Sequence, residues 1–494
     1  LKTALHRRAA FARRYRDVPR QISAAVFIDL ACVCNETVHI HHLPIRLHPV
    51  LHFVCNRPGL DNSRSIVYEQ WLQPSVPIYL QFYFFNLTNP VEFFNGSKPH
   101  VTQQGPYTYR EQRFKRDVNN NPVNGTIRYR EVKLYSFDRS LSIGPESDYV
   151  TTVNLVYITL AKRLDRYPSI IVKLAEKFEK LYGENTYIRR NISDILWGYE
   201  DPLLRFLKSF IDVPSTRVGL YADRNNTHDG PEVEIMSGAH SPNQMGRILQ
   251  YNNSKYLSCW TTSQANQING TDGTLFHPFL KSDEGIYIFA PDICRSIYFT
   301  PRSVINVHGI AAVKYLPMED TFDSPLENTK NRGFCIHWPY CTKTGVLDMS
   351  TCQPGAPIFI SMPHLVNADK SYLGAIEGLH PSEEFNTTFY IEPITGSVLK
   401  AAKKLQINAN VSQNSKFSSL SHVMDVVLPI MYVNESVVVD SDTAQMIRNS
   451  IYVLPLSLYV IFSVGLVLAL TTLVVLSTKL PILEKHSWLL ESLS

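Results

Sequence analysis

The sequence predicts a mixed α+β protein with a large antiparallel, β-rich body, a helical insertion and a C-terminal transmembrane helix. Three observations carry this prediction. A long apolar stretch without charge lies near the C-terminus, strand-like alternation recurs through the preceding chain, and the block from about residue 152 to 211 has helical periodicity instead. With 494 residues, 44% of them hydrophobic and 19% charged, the chain can bury a sizeable core.

The apolar stretch is Ile451–Leu476, inside a window from residue 449 to 478 that contains no charged residue and no histidine. As a helix it would reach about 39 Å, more than the roughly 30 Å of a bilayer's hydrocarbon core. A buried core helix is the alternative, but it would need a large all-helical core that the rest of the chain does not supply. We therefore predict a transmembrane helix at 449–478 and a cytoplasmic tail at 479–494.

The density of Asn-x-Ser/Thr acceptors predicts which side of the membrane the body faces. Eleven acceptors precede the apolar stretch and none follows it. Because such density is typical of a glycosylated chain, we predict a lumenal or extracellular domain at residues 66–448. The acceptors are Asn35 in the N-terminal segment and, in the body, Asn86, Asn95, Asn124, Asn191, Asn225, Asn252, Asn269, Asn386, Asn410 and Asn434.

The N-terminal segment, residues 1–65, is the least interpretable part. Its apolar run at residues 22–34 is thirteen residues long and includes Asp29, so it is too short and too polar for a span. A metal site is suggested by its neighbouring cysteines and histidines, but their spacing is not that of a zinc site, and we predict no metal. These residues are Cys32, Cys34, His39, His41 and His42. A poorly ordered terminus or a misassembled reading frame is the preferred interpretation.

The body begins with strand signals. Ile78, Leu80, Phe82 and Phe84 alternate with a second face, which is typical of a strand. Gly105-Pro106 predicts a turn, and residues 119–124 predict a hairpin connection before a strand at 127–137.

The helical insertion contains two predicted helices. The first follows Pro168 and ends before Gly183, with apolar residues on one face. The second begins with Ser193 as its cap and is interrupted by Pro202.

The polar side of this insertion is basic, with eight Lys/Arg and four acids between Lys162 and Arg190. A solvated face with pairs such as Glu176 and Lys180 is one interpretation, and a docking surface for anionic partners is the other. The candidate partner-binding residues are Lys162, Arg163, Arg166, Lys173, Lys177 and Lys180.

Two classes of function are disfavoured. The net charge of +4 is too small to indicate a nucleic-acid partner, and no nucleic-acid-binding motif occurs. No catalytic motif or phosphate-binding loop is found, and the adjacent acids Glu383 and Glu384 would point in opposite directions along an extended segment. We predict neither enzymatic activity nor a cofactor.

Five cysteines of the body, Cys259, Cys294, Cys335, Cys341 and Cys352, predict disulfides in an oxidising compartment, with zinc as the alternative. Because five is odd, one is left over, and the sequence alone does not decide the pairing.

Several runs resemble the class B scavenger receptor family. They include residues 82–111, 195–204, 268–279 and 292–299. Three more, at 333–365, 375–381 and 391–408, are most similar to its lysosomal integral membrane protein type two branch. The resemblance extends from about Trp71 to the end of the apolar stretch. The family also has a transmembrane helix near its N-terminus, which nothing in residues 1–65 matches.

The resemblance implies an internal tunnel for lipid and a membrane-distal cluster of helices that binds partners. It implies disulfides Cys294–Cys352 and Cys335–Cys341, while a third family pair corresponds to Ala265 and Gly333. The implied lipid partners are cholesterol and phospholipid, and the implied protein partner is a lysosomal hydrolase or a lipoprotein. A homo-oligomer is compatible with the resemblance.

The function expected from this resemblance is a membrane receptor that passes lipid through its body, in lysosomal or endosomal membranes or at the plasma membrane. Two alternatives remain open. They are a lysosomal enzyme sorting receptor without net lipid transport, and a cell-surface adhesion or lipoprotein receptor. No histidine lies between His100 and His228, so we expect no histidine switch in the helices. The tail contains Leu489-Leu490, but Lys485 stands where a dileucine signal would have an acid.

Overall fold

A computed structural model describes the chain, from residue 59 to residue 491. Its described residues are 59–165, 167–168, 170, 172–173, 176–177, 181, 185–209, 215–228, 230–353 and 356–491, with side chains as far as residue 476. The segment that carries Asn35, Cys32, Cys34 and the neighbouring histidines lies outside this range. The chain divides into two compact units, of which the larger comprises Pro58–Val307 and Ala311–Val439, and the smaller includes Asp440–Ser494.

The larger unit is built around one sheet of thirteen strands within the described residues. The strands are β1 Ile78–Leu87, β2 Val101–Asn121, β3 Thr126–Asp138, β8 Glu232–Met236, β9 Ile248–Tyr251, β10 Ile286–Ala290, β11 Arg295–Val307, β12 Ile310–Pro317, β13 Val346–Asp348, β14 Ile358–Ser361, β15 Thr388–Ile391, β16 Val398–Val411 and β17 Val426–Val438. They pair in the order β10-β11-β12-β15-β16-β17-β1-β2-β3-β8-β9, and β13 and β14 are attached beside β16. The short ribbons β4 Tyr149–Val153 with β5 Tyr187–Asn191, and β6 Tyr199–Glu200 with β7 Arg217–Val218, stand apart from it. Mixed α+β architecture with a large antiparallel sheet is therefore confirmed.

The two ends of this sheet are joined by the segment Gly270-Thr271. The amide of Ile248 in β9 donates to the carbonyl of Gly270 at 2.9 Å, and the amide of Phe289 in β10 donates to the carbonyl of Thr271 at 2.8 Å. At Gly270 φ is +84°, and a Cβ would lie 1.8 Å from the carbonyl oxygen of Tyr287, so only glycine fits there. The eleven strands in the pairing order thus close into a ring. Eight strands are about the number whose side chains fill a barrel, and this ring has eleven.

The alternation predicted for β1 is present, because its residues are buried in turn and it pairs antiparallel with β2 and β17. The turn predicted at Gly105-Pro106 is wrong. Both residues lie within the continuous strand β2, opposite a register shift between Phe82 and Phe84. A bulge takes the extra residue without ending the strand, and a Cβ on Gly105 would lie 2.7 Å from the carbonyl oxygen of Phe82. The predicted hairpin connection at 119–124 falls at the end of β2 and the turn before β3.

Helices of the larger unit lie mainly between β4 and β7. They are α3 Leu155–Leu164, α4 Ile192–Trp197 and α5 Pro202–Leu207, with the short α1 Ile66–Leu72, α2 Pro90–Phe94 and α6 Lys370–Gly374 elsewhere. Residues 170, 172–173, 176–177 and 181 are also helical.

The cap predicted at Ser193 is wrong, because Asn191 caps α4 by accepting from the amide of Asp194 at 2.7 Å. Pro202 begins α5 instead of interrupting a helix, and Asp201 is its cap.

The disulfides of the described residues are Cys294–Cys352 and Cys335–Cys341, and Cys259 is a free thiol. Trp260 packs beside the longer link and donates its indole N–H to the carbonyl of Cys294 at 2.6 Å. A Cβ built on Gly333 would lie 2.6 Å from the Cβ of Ala265. The two positions that correspond to the family's third pair are therefore neighbours in space, although neither is a cysteine.

The smaller unit contains α7 Ser441–Arg448, a π-helical turn at Asn449–Val453 and α8 Leu454–Glu491. Ser441–Leu476 is long and apolar enough to cross a membrane, with a mean hydropathy of 2.5 in its most apolar window. Pro455 lies just after the π-helical turn at Asn449–Val453, so the helical hydrogen bond that a proline removes falls at an irregular part of the helix. A C-terminal helix suited to span a membrane is therefore confirmed by its length and composition.

Candidate functional site

The inner face of the strand ring carries a belt of charged side chains. We call this set the polar belt: Glu111 and Arg113 of β2, Glu131 and Lys133 of β3, Lys403 of β16 and Glu435 of β17. They come together because they occupy matching register positions, with Arg113 opposite Lys133 and Lys403 opposite Glu435. On β17 the belt residue Glu435 has Val433 and Val437 as its neighbours on the same face, so the belt interrupts an apolar surface.

Ion pairs connect the polar belt. The guanidinium of Arg113 lies 2.5 Å from a carboxylate oxygen of Glu111 and 2.8 Å from one of Glu435. The ammonium of Lys403 lies 3.3 Å from Glu435, and that of Lys133 lies 3.6 Å from Glu131. Burial alone would raise the pKa of Glu131, but Arg113, Lys133 and Lys115 together hold it at about 2. The belt carboxylate of Glu131 is therefore ionised at every physiological pH.

Groups from other parts of the ring face the same space. Asp292, which follows β10, is paired with Arg224 at 2.5 Å. Burial would raise the pKa of Asp292, yet the charges of Arg224, Lys403 and Lys133 lower it. Lys403 and Lys133 lie on strands that three others separate, and the charges of both act on the carboxylate of Asp292.

These groups are deep in the larger unit and still reach open space. The exposed fraction of the side chain is 29% for Lys133, 24% for Lys403 and 21% for Glu435. Burial also raises the pKa of Tyr251 of β9 to about 12, with Asp292 as a further cause. The charged side chains of Lys133, Lys403 and Glu435 are therefore only partly buried, although they lie on central strands of the sheet. The polar belt is thus a candidate contact surface for the polar part of a molecule held within the ring.

Two acidic residues of the helical insertion, Asp165 and Glu176, contact the loop at residues 414–418 of the body. Asp165 lies 3.9 Å from the ammonium of Lys416 and accepts from Asn414 at 3.3 Å. Glu176 accepts from the backbone amide of Ser418 at 2.5 Å. The loop at residues 414–418 therefore holds both carboxylates.

The basic residues of the insertion remain at the surface. Lys162, Arg163, Lys173 and Lys177 are exposed, and none of them forms an ion pair with the residues that the structure describes. Arg166 and Lys180, the other two predicted partner-binding residues, lie outside the described residues. Arg189 and Arg190 differ, because their guanidinium groups lie over the rings of Tyr149 and Tyr199 at 5.4 and 4.5 Å. Four cations thus form the described part of the predicted docking surface, which we call the basic helical surface.

A pocket of about 440 Å³ has three histidines in its lining, His100, His364 and His380, which the sequence did not single out as site residues. His364 is 3% exposed. Its Nδ1 accepts from the amide of His380 at 3.1 Å, so Nε2 carries the proton and donates to Gln103 at 2.7 Å. Burial, followed by the charge of His380, lowers the pKa of His364 to about 4. In the described part of the chain, no group of three or more His, Cys, Asp or Glu is arranged to hold a metal ion.

The ten predicted glycosylation acceptors of the body differ in their surroundings. Asn95, Asn124, Asn225 and Asn252 are exposed, whereas the others are half-buried. Asn434 is the most constrained, because it lies within β17, donates its amide to Gln81 at 3.0 Å and has a buried carbonyl oxygen without a partner. Glycosylation stays a prediction, with Asn434 as the least accessible acceptor.

The chain is similar to known proteins over most of its length. The sequence profile of the CD36 family matches residues 52–480. Lysosome membrane protein 2 of Rattus norvegicus is 38% identical over 388 residues, which cover 78% of this chain and 80% of that protein. The protein of the same name from Homo sapiens has the same identity and coverage. Scavenger receptor class B member 1 of Sus scrofa is 30% identical over 465 residues, covering 92% of this chain and 89% of that protein.

The lowered pKa of His364 predicts that acid weakens the fold. An imidazole with a pKa near 4 when folded and about 6.5 when unfolded takes up a proton on unfolding, so its contribution is complete above pH 6.5 and is lost towards pH 4. At pH 5 the loss from this group is about 2 kcal/mol. We expect His364→Asn, which tolerates the observed left-handed backbone, to reduce the pH dependence of stability by that amount.

Urea denaturation of the detergent-solubilised chain at pH 7 and pH 5, followed by tryptophan fluorescence, measures this difference. His337→Asn, at an exposed histidine, is the matched control and should keep the pH dependence of the parent. If His364→Asn loses as much stability between the two pH values as the parent, the assignment of this acid sensitivity to His364 is wrong.

Proposed function

Because the chain belongs to the CD36 family, a family of membrane receptors, we propose that it carries lipid through the interior of its strand ring and binds partners through its basic helical surface. Its similarity to scavenger receptors and to a lysosome membrane protein makes it a membrane protein with a large extramembrane body. We further propose that it acts as a receptor and not as an enzyme.

The closed ring is the observation that carries the lipid proposal. A lipid molecule needs an apolar volume that water enters only in part, and an eleven-strand ring is wide enough to hold one. The polar belt adds charged groups of both signs, which suit the polar part of an amphiphile, while the valines beside Glu435 suit its hydrocarbon part. Cholesterol and phospholipid are the proposed cargo.

The partner proposal depends on the separation of charges in the helical insertion. Because Asp165 and Glu176 are held by the loop at 414–418, they do not neutralise Lys173 and Lys177 at the surface. An excess of cations without internal partners attracts anionic partners and raises their association rate at low salt. A lysosomal hydrolase or a lipoprotein with an acidic surface is the proposed partner.

The similarity to lysosome membrane protein 2 favours endosomal or lysosomal membranes over the plasma membrane. In this proposal residues 66–448 are lumenal, residues 449–478 cross the membrane and residues 479–494 are cytoplasmic. The alternative is a lysosomal enzyme sorting receptor without net lipid transport. It shares the basic helical surface with the main proposal but needs no cargo in the ring.

Lipid analysis of the body tests the main proposal. The full chain would be purified with an engineered protease site just after Val439, and the released body analysed by mass spectrometry for bound lipid. We expect sterol or phospholipid at about one molecule or more per protein. Finding neither above the level of a control soluble glycoprotein would contradict lipid transport and favour the sorting receptor.

Charge reversal tests the basic helical surface. We expect Lys173→Glu with Lys177→Glu to weaken binding to a lysosomal glucosidase or a lipoprotein at least tenfold, because two attractive charges become repulsive. The salt dependence of binding should also become shallower. Lys281→Glu with Lys330→Glu makes the same change in net charge at exposed positions elsewhere and is the control.

Binding affinity measured by surface plasmon resonance at low and physiological salt gives both quantities. Equal affinity and equal salt dependence in the parent and the Lys173/Lys177 variant would exclude this surface as the docking site.

A further inference from the structure

An open groove of about 610 Å³ lies on the larger unit beside the strands β8 and β9. It belongs neither to the interior of the ring nor to the basic helical surface. Its lining is mainly polar, with Arg247, Gln250, Lys255 and Gln267 able to donate or accept hydrogen bonds, and it contains one exposed aromatic ring, that of Tyr256. Polar side chains around an exposed aromatic platform suit a ligand with many hydroxyl groups and flat C–H faces, which describes a carbohydrate.

One predicted glycosylation acceptor, Asn269, is part of the groove wall. Tyr256 and Gln267 are opposite each other in an isolated antiparallel bridge. The side-chain nitrogen Nδ2 of Asn269 lies 3.4 Å from the side-chain oxygen Oε1 of Gln267. In extended chain, Gln267 and Asn269 project on the same side, which is also the side of Tyr256. A sugar attached to the Nδ2 atom of Asn269 would therefore start inside the groove, next to the ring of Tyr256.

The backbone around Asn269 is held firmly. Its amide donates to the hydroxyl of Ser296 at 2.9 Å, and the next residues, Gly270 and Thr271, are those that close the strand ring. The attachment point thus has a defined direction, which reduces the entropy cost of holding the first sugars in one place.

We propose that this groove seats the core of the protein's own N-linked glycan, attached at Asn269, with Tyr256 as the stacking platform. The ligand is an oligosaccharide that begins with N-acetylglucosamine. The seated glycan covers β9 and the exposed segment at residues 252–256 that follows it, and it limits access of processing enzymes to the inner sugars. This inference requires the body to enter the secretory pathway but is independent of lipid in the ring.

Asn252 and Asn124 provide internal comparisons. Asn252 is exposed and does not line the groove, so its glycan extends into solvent. Asn124 also lines the groove, but it lies in the turn between β2 and β3 and is exposed. A glycan on Asn269 starts beside Gln267, which lies opposite Tyr256, whereas one on Asn124 starts in the turn between β2 and β3.

Site-specific glycopeptide analysis of the full chain, expressed in mammalian cells, tests the proposal. Trypsin separates the two key acceptors, because cleavage after Arg247, Lys255 and Lys281 places Asn252 and Asn269 on different peptides. We expect the Asn269 glycan to remain mostly oligomannose, with an oligomannose fraction at least threefold that of Asn252. An unoccupied Asn269, or one whose glycan is processed as fully as that of an occupied Asn252, would overturn the proposal. Either result would leave the proposed lumenal location of the body unaffected.

Variants of Tyr256 test the stacking platform. Because its side chain is 58% exposed, Tyr256→Ala should leave the melting temperature nearly unchanged. We expect it to increase the processed fraction at Asn269 at least threefold while leaving Asn252 unchanged, and Tyr256→Phe, which keeps the ring, to match the parent. If Tyr256→Ala leaves processing at Asn269 as in the parent, or if Asn124 and not Asn269 keeps the oligomannose glycan, the assignment is wrong.

Discussion

Closure of the strand ring is the constraint on which the rest of the larger unit depends. Two residues, Gly270 and Thr271, supply the hydrogen bonds that join β9 to β10. A closed ring has no unpaired edge, so it satisfies its backbone groups without a further layer of structure. It also fixes the interior volume, since the width of a closed sheet follows from the number of its strands. In the lipid proposal, the space for cargo is thus a consequence of topology and not of a local defect in packing.

The polar belt is costly for a purely structural element. Arg113 and Glu111 are almost completely buried, and one oxygen of Glu111 has no hydrogen-bond partner. The attraction within a network of buried ions often stabilises a fold by less than the desolvation of the ions destabilises it. A protein with apolar residues of similar size at these positions would frequently be more stable. The partial exposure of Lys133, Lys403 and Glu435 lowers this cost. The same exposure keeps their charges available to a molecule inside the ring, which links the energetics of the belt to the proposed cargo.

Sequence reasoning predicts features whose physical cause is local. The alternation at Ile78–Phe84 and the uncharged stretch at 451–476 each reflect a periodicity or composition that persists in the structure. The polar belt escapes such reasoning, because alternating charges at Glu111 and Arg113 look like a solvent-facing strand until long-range pairing turns that face inward. The turn expected at Gly105 fails for a related reason, since partner strands on both sides carry the chain through as a bulge. Ring closure itself joins residues far apart in the chain and has no local signal.

Filling the interior of the ring with a large side chain is a direct test of whether lipid binds there. Lys403 and Lys400 lie on opposite faces of β16, Lys403 toward the internal space and Lys400 exposed on the outside. Replacing either with tryptophan adds the same bulk and removes the same charge, and Glu435 keeps Arg113 as a partner when Lys403 is lost. We expect Lys403→Trp to lower the lipid that copurifies with the body at least threefold, as measured by mass spectrometry, and Lys400→Trp to retain it. Equal lipid in both variants and the parent would contradict an internal lipid site.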